Sequence, residues 1–595
     1  MFLSAILLAV SLSMPEAADS IDAVTITAEK GMVASLSDTI GVSGGDVPEV
    51  LQSLPGLYVN DYGGISALRS VSMHGLGSAH TAIFIDGIRV NNLQTGQADL
   101  GFLDLPGYGS AVVDYAQNSL DFKTRRPVFP DGPFNGSAAV EAGSFGTWLP
   151  SARLNFRLSD RLVLSVSGSA AVTDGDFIYG DGQRRENNWL KQYRAGADLF
   201  GAMRQGGWQA KLYWNQADRS TPGAVNWPSA SRQNDRNIFV QGRMDKRFSG
   251  LYSLNLSAKA ADDKLLYSDE WSETDYRQQE LQLNSAHNFD IREWWKASLS
   301  ASVQWNRLES SLYSGSRTGI ISAAATSIRS GNFQADLALE YDGWFEEGSS
   351  KLHALSPSVN LRYNFPGGIG ITAFARRACR VPTFNELHYP GYGNAGLKPE
   401  DAMLSGIGLE WNRGYGSSWK FGAKLNGFYN ILKDKIVSAP TEADPSVWLP
   451  YNVGRVEAAG FDASLNLRWK SGIWDAGMSA AYSLQHAADR TPDSDAFGQQ
   501  ITGIPLHSAN ISGNAAASGW KITASWCFRG GRMDSEGELP DWNTLDIRIG
   551  RTVRKEGNEV EVYLKARNLC DCRYEVIRWY PAPGRSLMLG AEISF

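Results

Sequence analysis

From residue 133 onward the chain alternates apolar and polar residues with period two, run after run. Ala297, Leu299, Ala301, Val303 and Trp305 alternate with Ser298, Ser300, Ser302, Gln304 and Asn306. Phe461, Ala463, Leu465, Leu467 and Trp469 alternate with Asp462, Ser464, Asn466 and Arg468. Leu154, Phe156 and Leu158 lead through Ser159-Asp160-Arg161 into Leu162, Leu164 and Val166, a hairpin with one apolar face. Faces of this kind are either turned inward, as in a sandwich or β-solenoid, or turned outward into lipid, as in an outer-membrane barrel. Three features favour lipid. The runs reach about ten residues, the length of a tilted spanning strand. Many end in aromatics, as at Trp294-Trp295, Trp305 and Trp469, where interfacial girdles place Trp and Tyr. Short polar turns alternate with long Gly/Ser/Asn/Asp-rich segments, read here as outer loops at 173–188 and 217–237.

The last residues point the same way. Leu587, Leu589, Ala591, Ile593 and Phe595 alternate with Ser586, Met588, Gly590, Glu592 and Ser594. A final amphipathic strand suits a sheet that must close on itself to remove its edges. Composition fits, because a barrel needs only one strand residue in two to be apolar: 43% of residues are hydrophobic and 20% charged. No stretch approaches the ~18 uninterrupted apolar residues of a spanning helix. Nineteen Trp exclude strong disorder, and four Cys in 595 residues exclude a disulfide scaffold. A net charge of −7 argues against a nucleic-acid partner.

Residues 1–18 read as an imperfect export signal. Residues 2–14 are apolar apart from three Ser, but no Lys or Arg precedes them and Pro15-Glu16 makes a poor cleavage site. Residues 31–132 read as a small α+β unit. Asp46 is placed to cap a short helix with Pro48 in its first turn, and Pro55-Gly56 ends it. Strand-like pieces follow at 57–59, 68–73, 81–85 and 88–90, with Asp86-Gly87 as a hairpin turn between the last two.

Several motifs carry a family resemblance. Residues 46–59 (DVPEVLQSLPGLYV) and 72–91 (SMHGLGSAHTAIFIDGIRVN) resemble the plug signatures of TonB-dependent outer-membrane receptors. Residues 381–400 (VPTFNELHYPGYGNAGLKPE), 451–460 (YNVGRVEAAG) and the stretch from 564 to the C-terminus are similar to that family's barrel motifs, in the same order. GYGNAGLKPE and FIDGIRVN look most like the cobalamin (vitamin B12) receptors. The resemblance implies a barrel of 22 antiparallel strands over residues 133–595, with the plug inside its lumen. It implies an active transporter in the outer membrane of a Gram-negative bacterium, facing outer-membrane lipid. Asp22, Ala23, Val24, Thr25, Ile26, Thr27 and Ala28, within the segment 19–30, resemble a TonB box. Their β-branched run suits strand addition to the TonB C-terminal domain, which brings work from the inner-membrane energising complex. Apical segments are expected at 60–66, 75–80 and 93–97. The resemblance to cobalamin receptors puts ligand contacts on Asn60, Tyr62, Ser66, Leu93, Gln94, Thr95 and Gly96. Cobalamin or a related corrinoid is the implied cargo, with a ferric siderophore or haem as alternatives. A surface ligand-capturing lipoprotein is a further candidate partner.

The chain departs from the family pattern at three places. The family has Arg before the plug Gly, where it would pair with barrel carboxylates; here the residues are Met73-His74-Gly75. His74 reads either as a neutral, hydrogen-bonded residue or as a pH-sensitive plug contact. Residues 107–123 lack the double Gly that usually ends the plug, which suggests a shortened or rebuilt end. Cys570 stands where the family has Phe, and Cys570-x-Cys572 is too close for an easy disulfide.

No enzyme motif is present: neither G-x-S-x-G, H-E-x-x-H, a Walker loop nor a Rossmann glycine pattern occurs. No resident cofactor is expected, with one qualification. Asp174, Asp176 and Asp181 in one expected loop, and Asp218 and Asp235 in the next, could hold calcium through hard oxygen ligands; a solvated acidic loop is the plainer reading. A passive porin or adhesin would use the same barrel, but has no need of a globular unit ahead of it.

Overall fold

The computed structural model describes residues 37–595 apart from 42–46, 104–106, 131, 347–351, 416–417, 442–447 and 535. The expected export signal, the 22–28 segment and the helix-capping Asp46 lie outside the described residues. Twenty-two antiparallel strands, from Phe134–Gly143 to Ser586–Ser594, form a closed barrel. The last pairs with the first, from Met588 opposite Gly143 to Ser594 opposite Ser137. Phe595 and Gly136 then exchange backbone hydrogen bonds of 3.0 and 2.8 Å. Closure pairs the edge groups that would otherwise lie unsatisfied in lipid.

Burial settles which way the alternating faces point. Leu299 and Val303 are 55% and 47% exposed, while their neighbours Ser298 and Ser302 are buried. Lys259, Gln282, Asn284 and Asn510 are likewise buried, and Leu281, Leu283 and Ile511 exposed. A water-soluble sandwich would show the reverse. Here the apolar face meets lipid and the polar face lines the lumen. Trp294, Trp295, Trp419, Trp474 and Trp520 lie outward at the end of the barrel whose turns are short, such as 160–161 and 472–473. The opposite end carries the long connections 174–189, 381–399, 490–506, 530–541 and 568–585. One expected loop is corrected. Residues 217–237 are the ends of strands Gly206–Ala224 and Trp227–Arg247, joined only by Val225-Asn226. Their polar residues keep a strand ladder outside the membrane, where no apolar face is required.

The lumen holds the N-terminal unit. Helix α1 (Val47–Gln52) precedes strands β2 (Leu57–Asp61) and β3 (Arg69–Met73), which pair with each other. A five-stranded sheet runs in the order β1 (Ser37–Gly41), β6 (Tyr108–Asp114), β7 (Ser119–Thr124), β4 (Ala82–Ile85), β5 (Ile88–Arg89). Asp86 and Gly87 both have positive φ, 52° and 86°, as the tight turn between β4 and β5 requires. The stretch 107–123 supplies β6 and most of β7, which lie inside the sheet order. The core beneath is Val47, Leu51, Val59, Val71, Ile83, Ile85, Val113, Leu120 and Phe122.

Barrel side chains grip this unit from all round. Lys565 and Arg567 each reach Glu49 at 2.8 Å, and Arg219 reaches Asp99 at 2.9 Å. Arg153 donates to the carbonyls of Gly107 and Arg125, and Lys259 to that of Arg89.

Candidate functional site

Three plug segments meet the long-loop end or the wall beside it. In the first, Asp61 Oδ1 accepts from the backbone N–H groups of Gly63 and Gly64 at 2.9 and 2.7 Å, folding the chain back toward β3. Tyr62 stands edge-on to Tyr580 of the 568–585 loop, with ring centroids 5.3 Å apart. Burial, and then Tyr580 beside it, raise the Tyr62 phenol above the usual tyrosine value, so it stays protonated and able to donate. Ser66 Oγ donates to Asn188 Oδ1 at 2.7 Å, joining this segment to the 174–189 loop. Asn60 is half-buried at the end of β2, opposite Ser70.

The second segment is a turn built on Asn92, whose Oδ1 accepts from the backbones of Gln94 and Thr95 at 2.9 and 3.0 Å. Leu93 N–H donates to Gln278 Oε1 on the barrel. Helix α2 (Phe384–His388), in the 381–399 loop, lies over this turn. Phe384 N–H donates to the Leu93 carbonyl at 3.5 Å and Asn385 N–H to that of Gln94 at 3.3 Å. A Cβ added at Gly96 would stand 3.0 Å from Thr383 Cγ2, so the turn packs closely against the Thr383 side chain. Gln94 is buried beneath the loop and Thr95 is exposed. A capping box starts α2: Glu386 N–H donates to Thr383 Oγ1, and Thr383 N–H to Glu386 Oε2.

The third segment, 75–80, is held against the barrel. Gly75 N–H donates to Gln485 Oε1 at 3.1 Å, and Leu76 packs with Ala458 and Ala487 on the barrel wall and with Ile504 of the 490–506 loop. Of its six residues only Gly77 is exposed. Two histidines frame it, and they do not meet as a metal pair. His74 Nε2 lies 2.6 Å from Asp462 Oδ2, and His80 Nε2 lies 2.5 Å from Glu400 Oε2. Arg380 shares Glu400 and also pairs with Glu386 of α2, so plug, barrel and outer loop meet in one ion network. Sequence reasoning missed this network and the covering partners Asn188 and Tyr580. The Thr383-x-x-Glu386 spacing was the legible trace of it.

The five aspartates of the calcium reading are not brought together. Asp176 pairs with Arg184 and Asp218 with Arg232, while Asp235 is buried against Arg219. Asp174 and Asp181 are exposed. Asp218 and Asp235 belong to strands, whose ladder spreads carboxylates along its length. Among the described residues no group of three or more His, Cys, Asp or Glu could hold a metal ion, and all four cysteines are free.

A closed 22-strand barrel, gripping an α+β plug beneath long loops, defines a gated outer-membrane transporter. Comparison with known proteins agrees. The family description "TonB dependent receptor-like, beta-barrel" matches residues 89–569, and "TonB-dependent Receptor Plug Domain" matches 37–127. The chain is 21% identical to "Vitamin B12 transporter BtuB" of Vibrio vulnificus, over 90% of this chain and 88% of that protein. It is 22% identical to the protein of the same name from Photobacterium profundum, over 92% and 90%. Among solved structures, the FrpB iron transporter from Neisseria meningitidis superposes with a TM-score of 0.77 at 14% identity, covering 93% of this chain and 97% of that one. The chain belongs to the TonB-dependent receptor family, whose members are transporters of the Gram-negative outer membrane and not enzymes.

Proposed function

We propose that this receptor imports cobalamin or a related corrinoid. The observation that carries this reading is the near full-length similarity to two vitamin B12 transporters, which spans plug, barrel and loops alike. The binding surface is formed by Asn60, Tyr62 and Ser66 on one plug turn and by Leu93, Gln94, Thr95 and Gly96 on the other. Tyr62 offers a ring and a phenol donor, and the amides of Asn60 and Gln94 offer paired donors and acceptors to the amide-rich periphery of a corrinoid. Access requires the 174–189, 568–585 and 381–399 loops to lift, since Asn188, Tyr580 and α2 cover these residues in the closed state. TonB then takes Asp22 to Ala28 as an added strand and pulls on the plug.

The test is a titration of the purified receptor with cyanocobalamin and, in parallel, with a ferric chelate. Growth on limiting cobalamin with and without TonB accompanies it. Saturable cobalamin binding and TonB-dependent growth are expected. Binding of the ferric chelate alone would replace the corrinoid reading with an iron one.

A further inference from the structure

The pair His74–Asp462 stands apart from the other plug contacts. At three other plug contacts the barrel supplies the cation, through Lys565, Arg567 and Arg219, and only at His80–Glu400 does a plug histidine likewise face a barrel carboxylate among the ion pairs described above. At His74 the plug supplies it, as an imidazole, whose charge depends on a proton that Lys and Arg do not readily give up. The His74 ring lies between Phe428 and Tyr115, with centroids 4.1 and 5.2 Å away and both rings nearly parallel to it. Asp462 is 1% exposed, and its second oxygen accepts from Ser483 Oγ at 2.6 Å. That hydroxyl in turn accepts from Gly56 N–H at 2.6 Å, so the carboxylate sits at the centre of a plug–barrel junction.

The backbone at this point is built for the contact. His74 has φ +50°, an uncommon conformation for a residue with a side chain. Its N–H donates to the Gly56 carbonyl, and its own carbonyl accepts from Asn430 Nδ2. Asp462 from the barrel and Tyr115 from the plug are ionisable groups that face the ring. Asn430, Ser483 and Gln485 complete the surroundings from the neighbouring strands. A buried carboxylate is tolerated when a cation faces it and is costly when none does. The charge of His74 therefore decides whether this junction is balanced or carries a net −1.

His80 is a contrasting case within the same molecule. Its partner Glu400 is also held by Arg380 at 2.6 Å and by the N–H of Ile436, and Lys435 faces it as well. Loss of a proton from His80 leaves Glu400 with cations beside it.

We infer that His74 is a proton-dependent latch: protonated, it locks the plug turn onto Asp462, and deprotonated, it lets that turn part from the barrel wall. The device rests on plug-gated transport and is independent of which ligand is carried. Rising external pH then lowers the work that pulling on the plug must do, and acid holds the gate shut.

The experiment is channel recording from the full-length protein in planar lipid bilayers, without ligand or TonB, at pH about 5.5 and about 8. Its failure is thereby separable from failure of the corrinoid reading. The wild type is expected to open roughly tenfold more often at the higher pH, a factor equivalent to about 1.4 kcal/mol. His74→Arg should open rarely at both values, His74→Gln often at both, and His80→Gln should keep the wild-type response. Should His74→Gln fail to fold, Asp462→Asn takes its place and should likewise abolish the response. Equal opening of the wild type at both pH values would overturn the inference. So would a pH response that survives removal of either partner.

Discussion

Arg529, at the end of barrel strand Trp520–Arg529, donates from Nη2 to the carbonyl of Gln52, the last residue of α1, at 2.6 Å. Its other terminal nitrogen donates to the Phe528 carbonyl at 2.8 Å, and the side chain is fully buried. A helix of six residues does not persist by its own hydrogen bonds. This one is held at both ends by the barrel: Lys565 and Arg567 hold Glu49 in its first turn, and Arg529 meets the negative end of its dipole. Replacing Arg529 by Met keeps the apolar stem and removes the donors. The expected cost is about 2 kcal/mol, within the range for hydrogen bonds to charged groups. Amide hydrogen exchange should quicken across 47–57 and stay slow in the barrel strands. Unchanged protection of α1 would show that its packing alone suffices.

Gly75 has φ +75°, and a Cβ there would stand 2.8 Å from that of Ala458 and 3.0 Å from that of Ala487. Gly75→Ala therefore combines a left-handed backbone, costing about 1–2 kcal/mol with a side chain, with contact against the barrel wall. The plug turn should fail to seat, and cells should become permeable to antibiotics too large for porins. Gly77→Ala is the control. Nothing lies within 4 Å of a Cβ at Gly77, its φ is −65°, and its effect should stay within about 0.5 kcal/mol.

The barrel was legible because lipid imposes a simple rule on each strand, and Leu299 with Ser298 states it in two residues. The plug strands were legible through local chemistry, as at Asp86-Gly87, where the turn needs positive φ twice. The 217–237 hairpin was misread because outside the membrane nothing demands an apolar face, so polar strands look like loops. The site was legible only in pieces. Tyr62 and Gln94 lie on plug turns under outer loops, yet their partners Tyr580 and Asn385 are hundreds of residues away in sequence. Pairings of that kind depend on barrel closure, which no local pattern encodes. At His74 the family resemblance pointed to barrel carboxylates, but no local pattern singled out Asp462.

The α2 lid depends on its capping box. With five residues, α2 needs Thr383 Oγ1 to hold the Glu386 N–H. Thr383→Ala should cost about 1 kcal/mol. Because α2 covers the backbone of Leu93 and Gln94, a corrinoid bound as proposed should then dissociate roughly fivefold faster, as stopped-flow displacement would measure. Glu386→Ala should act more strongly, since it also removes the carboxylate that Arg380 grips. An unchanged dissociation rate in both variants would mean that α2 does not retain the ligand.

Coupling to TonB is expected to reside in Asp22 to Ala28. Strand addition uses backbone N–H and C=O groups, so it should be more sensitive to a missing donor than to a changed side chain. Val24→Pro removes one N–H and fixes φ, which breaks the pairing ladder at its middle. Val24→Ile keeps the backbone and the β-branched side chain. Surface binding of labelled cobalamin should be equal in the wild type and both variants, because none of the proposed ligand contacts lies within residues 22–28. Energised uptake should be lost in Val24→Pro and kept in Val24→Ile. If Val24→Pro cells accumulate vitamin at the wild-type rate, the energy enters the plug somewhere other than this segment.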